Sequence, residues 1–180
     1  AARHTDRKPD LPYDEHAEAC YADLFEPNSL RRALKGADGA VNATSLYVER
    51  GDLTYHSIHV EAAERLARLA AQAGVRRFVQ LSGIGADPDA DDPYIQARGQ
   101  GEQAVKAEHA SPTLVRSAVM FGENDALLSA IRNILRQSPV FPLFGSGETL
   151  MQPACVEDVA DAVCRALEAN CGAQTYELGG

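Results

Sequence analysis

Three side chains have the types and spacing for proton chemistry at a carbonyl or hydroxyl carbon: Ser82, Tyr94 twelve positions later, and Arg98 four beyond Tyr94. Residues at i and i+4 share a helix face, so a helix through 92–109 sets the Arg98 guanidinium beside the Tyr94 phenol. A neighbouring cation favours the phenolate form, and a phenol so poised gives or takes a proton near neutral pH. Ser82, at the end of a strand, can hydrogen-bond the same substrate oxygen. A Tyr-x-x-x-Arg spacing also arises by chance on an exposed helix, with Ser82 a simple strand-end cap. The elements that carry the three residues decide between these readings.

Those elements alternate. Residues 39–43, 76–82 and 113–119 are short, apolar, β-branched or aromatic-rich runs that predict strands, and 174–178 predicts a last one. Between the first two, residues 56–73 carry Ala62, Leu66, Leu69, Ala70 and Ala73 at helical spacing, with Gly74 as the stop. Further helices are predicted at 28–35, with Asn28 as N-cap and Gly36 as stop, and at 92–109, 125–137 and 156–169. Strand-helix alternation of this kind predicts a parallel sheet, doubly wound, with helices on both faces. Ligands bind such sheets beyond the carboxyl ends of the strands, which singles out the residues after 43, 82 and 117.

Composition narrows the function classes. The 180 residues are 45% hydrophobic and 24% charged, which suits one domain burying about 70% of its unfolded surface. Seventeen Lys and Arg against 26 Asp and Glu give a net charge of −9, which argues against nucleic acid as a partner. No run approaches the roughly 18 apolar residues of a membrane span, and Ala1-Ala2-Arg3-His4-Thr5-Asp6 has no apolar signal core, so a cytosol-like compartment is expected. Cys20, Cys155, Cys164 and Cys171 lack metal-ligand spacing and read as small, mostly buried hydrophobes. His56 and His59, at i and i+3, have no third ligand in register and read as solvated or capping, so no metal site is expected. Segment 83–93, rich in aspartate, reads as a solvated loop, and Glu157 and Asp158 as carboxylates meeting a helix dipole. Gly99-Gln-Gly101-Glu-Gln-Ala104 matches a phosphate-loop pattern but falls inside a predicted helix, the wrong context for it.

The order and spacing of Leu81-Ser82-Gly83, Tyr94-x-x-x-Arg98-x-x-Gly101-Glu102 and Thr113-Leu114-Val115-Arg116 resemble the extended short-chain dehydrogenase/reductase superfamily, the epimerase/dehydratase-like group. Tyr21-Ala22-Asp23-Leu24, Val41-Asn42-Ala43 and Gln152-Pro153 through Val156-Glu157-Asp158-Val159-Ala160 extend the resemblance over most of the chain. Tyr47-Val-Glu49-Arg50-Gly51 and His59-Val60-Glu61-Ala62-Ala63 look closest to atypical members akin to the NAD(P)-binding accessory subunit of respiratory complex I.

The resemblance implies a Rossmann-type fold that binds NAD(P) and roles for individual residues. Tyr94 becomes the acid/base, Ser82 the partner of the substrate oxygen, and Arg98 the holder of the nicotinamide ribose. Asp23 and Leu24 would meet the adenine; Asn42, Ala43, Thr44 and Leu81, then Ser117 and Val119, would line the rest of the cofactor site. Arg3, assisted by Arg7, suits an adenosine 2′-phosphate, so NADP is expected ahead of NAD. The proline-flanked run Val140, Phe141, Leu143 and Phe144, ahead of Gly145 and Gly147, reads as a packed loop or, equally, as the substrate lip that the family resemblance implies. Arg98 departs from the family, which has lysine there; a guanidinium holds a hydroxyl but does not relay a proton by titrating. The two functions implied are an NADP(H)-dependent oxidoreductase or epimerase on an unknown small-molecule substrate, and a non-catalytic NADPH-binding module of a larger assembly. The family also has a first strand and glycine-rich loop ahead of Arg3 and a substrate-binding part after Gly180, so the chain reads as a fragment. Taken as a whole polypeptide, it would bind dinucleotide weakly and associate through an open sheet edge, as a homo-oligomer or in a larger assembly.

Overall fold

A computed structural model of the chain describes residues 18–123, 125–137, 146, 148, 150–169 and 172–180. Helix α1 (Pro27–Leu34) leads to strand β1 (Gly39–Asn42), and a π-helical turn (His56–Ala62) runs into α2 (Ala63–Gln72). Strand β2 (Arg77–Gly83), helix α3 (Pro93–Glu108), strand β3 (Pro112–Ser117) and the two-residue strand β4 (Met120–Phe121) follow. Helix α4 (Ala126–Gln137), strand β5 (Ala154–Cys155), helix α5 (Val156–Glu168) and strand β6 (Thr175–Leu178) complete the order. The main sheet runs β1-β2-β3-β6, with every pair parallel, and β4 pairs with β5 in a small second sheet.

The expected layers are present. Leu30 and Leu34 of α1, Ala63, Ala67, Leu69 and Ala70 of α2, and Val105 of α3 pack with Val75 and Phe78 in one core against the sheet. Phe78 is 1% exposed, a burial that contributes about 1.5–3 kcal/mol. On the opposite face α5 approaches closely enough that Leu167 lies against Gly39, where a Cβ would come within 3.0 Å of its Cδ2. Helix α2 stops at Gly74, whose φ of +77° is the left-handed conformation a C-terminal glycine supplies.

Some local expectations are corrected. Glu26, not Asn28, is the N-cap of α1, because Pro27 with its fixed φ takes the first helical position. The helix over 56–73 is not uniform, since its first seven residues are π-helical. Cys164 is exposed, because it opens onto a groove between α5 and the starts of β1 and β2, and Cys20 and Cys155, which border loops, are half-buried; Cys171 lies outside the described residues. No helix among the described residues is long and apolar enough to cross a membrane.

Candidate functional site

Strand β2 delivers Ser82 and Gly83 to the carboxyl end of the sheet, and α3 begins ten residues later. Asp92 caps that helix, its Oδ1 accepting from the backbone N–H groups of Tyr94 and Ile95, each at 3.0 Å, and Pro93 fills the first position. Tyr94 is thereby fixed in the first turn with Arg98 one turn on. Arg98 Nη1 donates to the Tyr94 hydroxyl at 2.6 Å and to Ser45 Oγ at 3.3 Å, with its Cζ 5.3 Å from the Tyr94 ring centroid. The guanidinium lies flat against Gly83, where a Cβ would come within 3.1–3.3 Å of Nε, Cζ and Nη2. Arg98 Nε is buried without a hydrogen-bond partner. An N–H left so costs about 1–3 kcal/mol, so this corner holds a donor that a ligand oxygen would satisfy.

Three rings surround the phenol. Tyr47 lies 5.9 Å from the Tyr94 centroid, Tyr55 meets it edge-on at 5.4 Å, and His59 does so at 5.5 Å. His59 is buried, and its Nε2 sits 3.3 Å from Leu46 N and 3.1 Å from Leu46 O. Burial lowers its pKa from the ordinary histidine value, with the Leu46 hydrogen bond opposing and the Arg98 charge adding to the drop, so the ring is neutral at pH 7. This corrects the solvated or capping reading of His59. His56 does face solvent, 3.7 Å from Glu61. Among the described residues no three histidine, cysteine or acidic side chains are grouped to hold a metal.

The other expected residues differ in burial and in how far their polar groups are engaged. Ser82 is 3% exposed, and no hydrogen bond joins it to Tyr94; its carbonyl accepts from Ser117 Oγ at 3.5 Å. Asn42 is buried with its amide engaged, donating to Gln80 Oε1 at 2.9 Å and accepting from Thr44 N at 3.2 Å. Ala43, Thr44 and Val119 are exposed, and Leu81 is half-buried. The Asp23–Leu24 turn is pinned: Asp23 N donates to Ser29 Oγ at 2.9 Å, and Arg65 Nη1 donates to Leu24 O at 2.8 Å. Arg3, Arg7 and the run 139–145 with Gly147 lie outside the described residues. The phosphate-loop look-alike does lie within α3, where Gly99 packs on the Asp87–Pro88 backbone and Gly101 on the His59 carbonyl. At the other end of the sheet, Gly39, Arg77, Cys164, Leu167 and Glu168 line a groove of about 320 Å³.

Sequence reasoning missed Ser45, Tyr47, Tyr55 and the burial of His59. Only the aromatic content of 47–59 hinted at them.

Comparison with known proteins agrees with this architecture. A family described as NAD(P)H-binding matches residues 1–170. The chain is 30% identical over 162 residues to the mitochondrial NADH dehydrogenase [ubiquinone] 1 alpha subcomplex subunit 9 of Arabidopsis thaliana, covering 87% of this chain and 40% of that protein. It is 29% identical over 164 residues to a ceramide reductase of Caulobacter vibrioides, covering 88% of this chain and 51% of that one. A dTDP-glucose 4,6-dehydratase double mutant of Streptomyces venezuelae, solved with NAD and DAU bound, superposes with a TM-score of 0.74 at 20% identity, over 89% of this chain and 57% of its own. The chain thus spans about two fifths to half of the curated relatives it matches. The match over residues 1–170 makes the chain a member of the NAD(P)H-binding family, and its parallel sheet has the Rossmann-like fold of the epimerase/dehydratase group.

Proposed function

We propose that this chain is the cofactor-binding part of an NADP(H)-dependent oxidoreductase or epimerase acting at a carbonyl or hydroxyl carbon. The observation that carries this reading is the Tyr94–Arg98 pair, bonded at 2.6 Å beside the end of β2, with the buried Arg98 Nε still without an acceptor. When bound, a nicotinamide dinucleotide supplies the hydride donor or acceptor. Arg98 holds a ribose hydroxyl through its unspent donors, and Asp23 and Leu24 meet the adenine. Asn42, Ala43, Thr44, Leu81, Ser117 and Val119 form the wall between. Tyr94 gives a proton to the substrate oxygen as a carbonyl is reduced, or takes it in the reverse direction, and Ser82 hydrogen-bonds that oxygen. The hydrogen bond from Arg98 Nη1 fixes the orientation of the Tyr94 hydroxyl for that transfer. Arg3 belongs to this proposal as the 2′-phosphate contact that favours NADP over NAD.

A second reading rests on the same corner. The Tyr94 hydroxyl is already engaged by an arginine that cannot titrate, and the Arabidopsis relative is by its name a subunit of a larger enzyme. On that reading the domain holds NADPH without turnover inside an assembly. Under either reading we place it in an aqueous, cytosol-like compartment, although the Arabidopsis protein is named as mitochondrial.

NADPH oxidation over a panel of aldehydes and ketones separates the two. The enzyme reading expects turnover that Tyr94→Phe abolishes while NADPH still binds. Binding with no turnover on any substrate favours the module, and absence of binding removes both.

A further inference from the structure

Two departures from ordinary helix construction converge on one residue. The turn His56–Ala62 is π-helical, a form that is rare in proteins and is frequently found at functional sites. Opposite it, α3 carries Gly101, where any Cβ would overlap the carbonyl oxygen of His59. Together they bring His59 beneath Tyr94, 6% exposed and edge-on to its ring.

The imidazole Nε2 lies within 3.3 Å of both the backbone N and O of Leu46, and according to its tautomer it accepts from the first or donates to the second. The neighbours of Leu46 are tied to the same corner. Ser45 Oγ accepts from Arg98, and the Tyr47 ring packs against Tyr94. His59 thus makes the middle tie of those that fasten segment 45–47 over the pair; like the Tyr55 hydroxyl, which donates to the Tyr47 carbonyl at 3.1 Å, it holds the segment without using Tyr94 or Arg98.

We propose that His59 is a positioning residue, holding segment 45–47 in place over Tyr94 and Arg98 and so shaping the space in which, on the reading proposed above, the nicotinamide ribose and the substrate oxygen meet. It moves no proton to substrate. Its neutral ring matters because it serves Leu46 without setting a second positive charge beside Arg98.

The test compares His59→Phe, which keeps a ring and removes both contacts to Leu46, with His59→Gln, whose amide can still reach that backbone. Hydrogen exchange at the Leu46 amide and NADPH affinity are measured for the wild type and both variants. The Phe variant is expected to exchange Leu46 about tenfold faster and to bind NADPH about tenfold more weakly, the scale of one lost hydrogen bond, with Gln restoring both to within about threefold. Unchanged Leu46 exchange in the Phe variant, or equal losses in Phe and Gln, overturns the proposal. Should the Phe variant not fold, the imidazole nitrogen shifts of the wild type decide: a hydrogen-bonded Nε2 supports the role, and a ring that titrates as if in water overturns it. If the wild type takes up no NADPH, the cofactor reading fails by itself, while Leu46 exchange still decides the role of His59.

Discussion

Helix α3 receives two arginines within a little over one turn, and they are used in opposite ways. Arg116, on β3, grips Glu102 with Nε at 2.9 Å and Nη2 at 2.7 Å, reaches Glu177 at 3.2 Å and donates to the Ala86 carbonyl at 3.3 Å. The Glu102 hydrogen bond, more than any other contact, holds it charged beyond the ordinary arginine range. Arg98, one turn before Glu102, makes both its hydrogen bonds from a single nitrogen and leaves Nε buried and unmatched. A guanidinium with its donors matched belongs to the frame. One with a donor to spare, at the carboxyl end of a parallel sheet, fits the cofactor reading proposed above.

The contrast can be broken or sharpened by mutation. Arg116→Met strands the Glu102 carboxylate at 4% exposure, and loss of one partner of a buried pair costs about 3–5 kcal/mol of stability. Urea unfolding should show a midpoint far below the wild type. Gly101→Ala drives a methyl into the His59 carbonyl and should cost about 1–3 kcal/mol by the same assay, the range of an overpacked core. Arg98→Met loses the hydrogen bonds to Tyr94 and Ser45 but also a buried, unmatched Nε, so stability should fall by no more than about 1.5 kcal/mol, while NADPH affinity falls by about 1.5–3 kcal/mol, the worth of a hydrogen bond to a charged group. An Arg98 variant that melts like the Arg116 variant would erase the distinction between the two arginines.

The smallest effect is that of pH. The folded His59 binds its proton less readily than the unfolded chain does, so its contribution to stability is complete above the ordinary histidine pKa near 6.5 and is lost as pH falls towards the lower folded value. Thermal melts across that range should flatten in His59→Gln.

Much of this was legible in the sequence, because parallel strands are short apolar runs and amphipathic helices announce their buried faces. The four main strands and the placement of Tyr94 and Arg98 on one helix face follow from spacing alone. What spacing does not carry is close approach between elements. Gly99 and Gly101 looked like a misplaced phosphate loop and are contact points for the Asp87–Pro88 backbone and the His59 carbonyl. His56 and His59 read alike as solvated or capping because neither has a third ligand in register; the π turn separates them, leaving His56 outside and His59 within. Strands β4 and β5, of two residues each, are too short for any periodicity to register.

The function proposed here requires a dinucleotide to bind at the carboxyl end of the sheet, on the Tyr94–Arg98 corner. Titration of isotope-labelled protein with NADPH, followed through its amide resonances, locates the bound molecule. Shifts are expected at Ser45, Gly83, Tyr94 and Arg98, with the groove formed by Gly39, Arg77 and Cys164 unmoved. Shifts confined to that groove, or none at saturating NADPH, overturn the proposal.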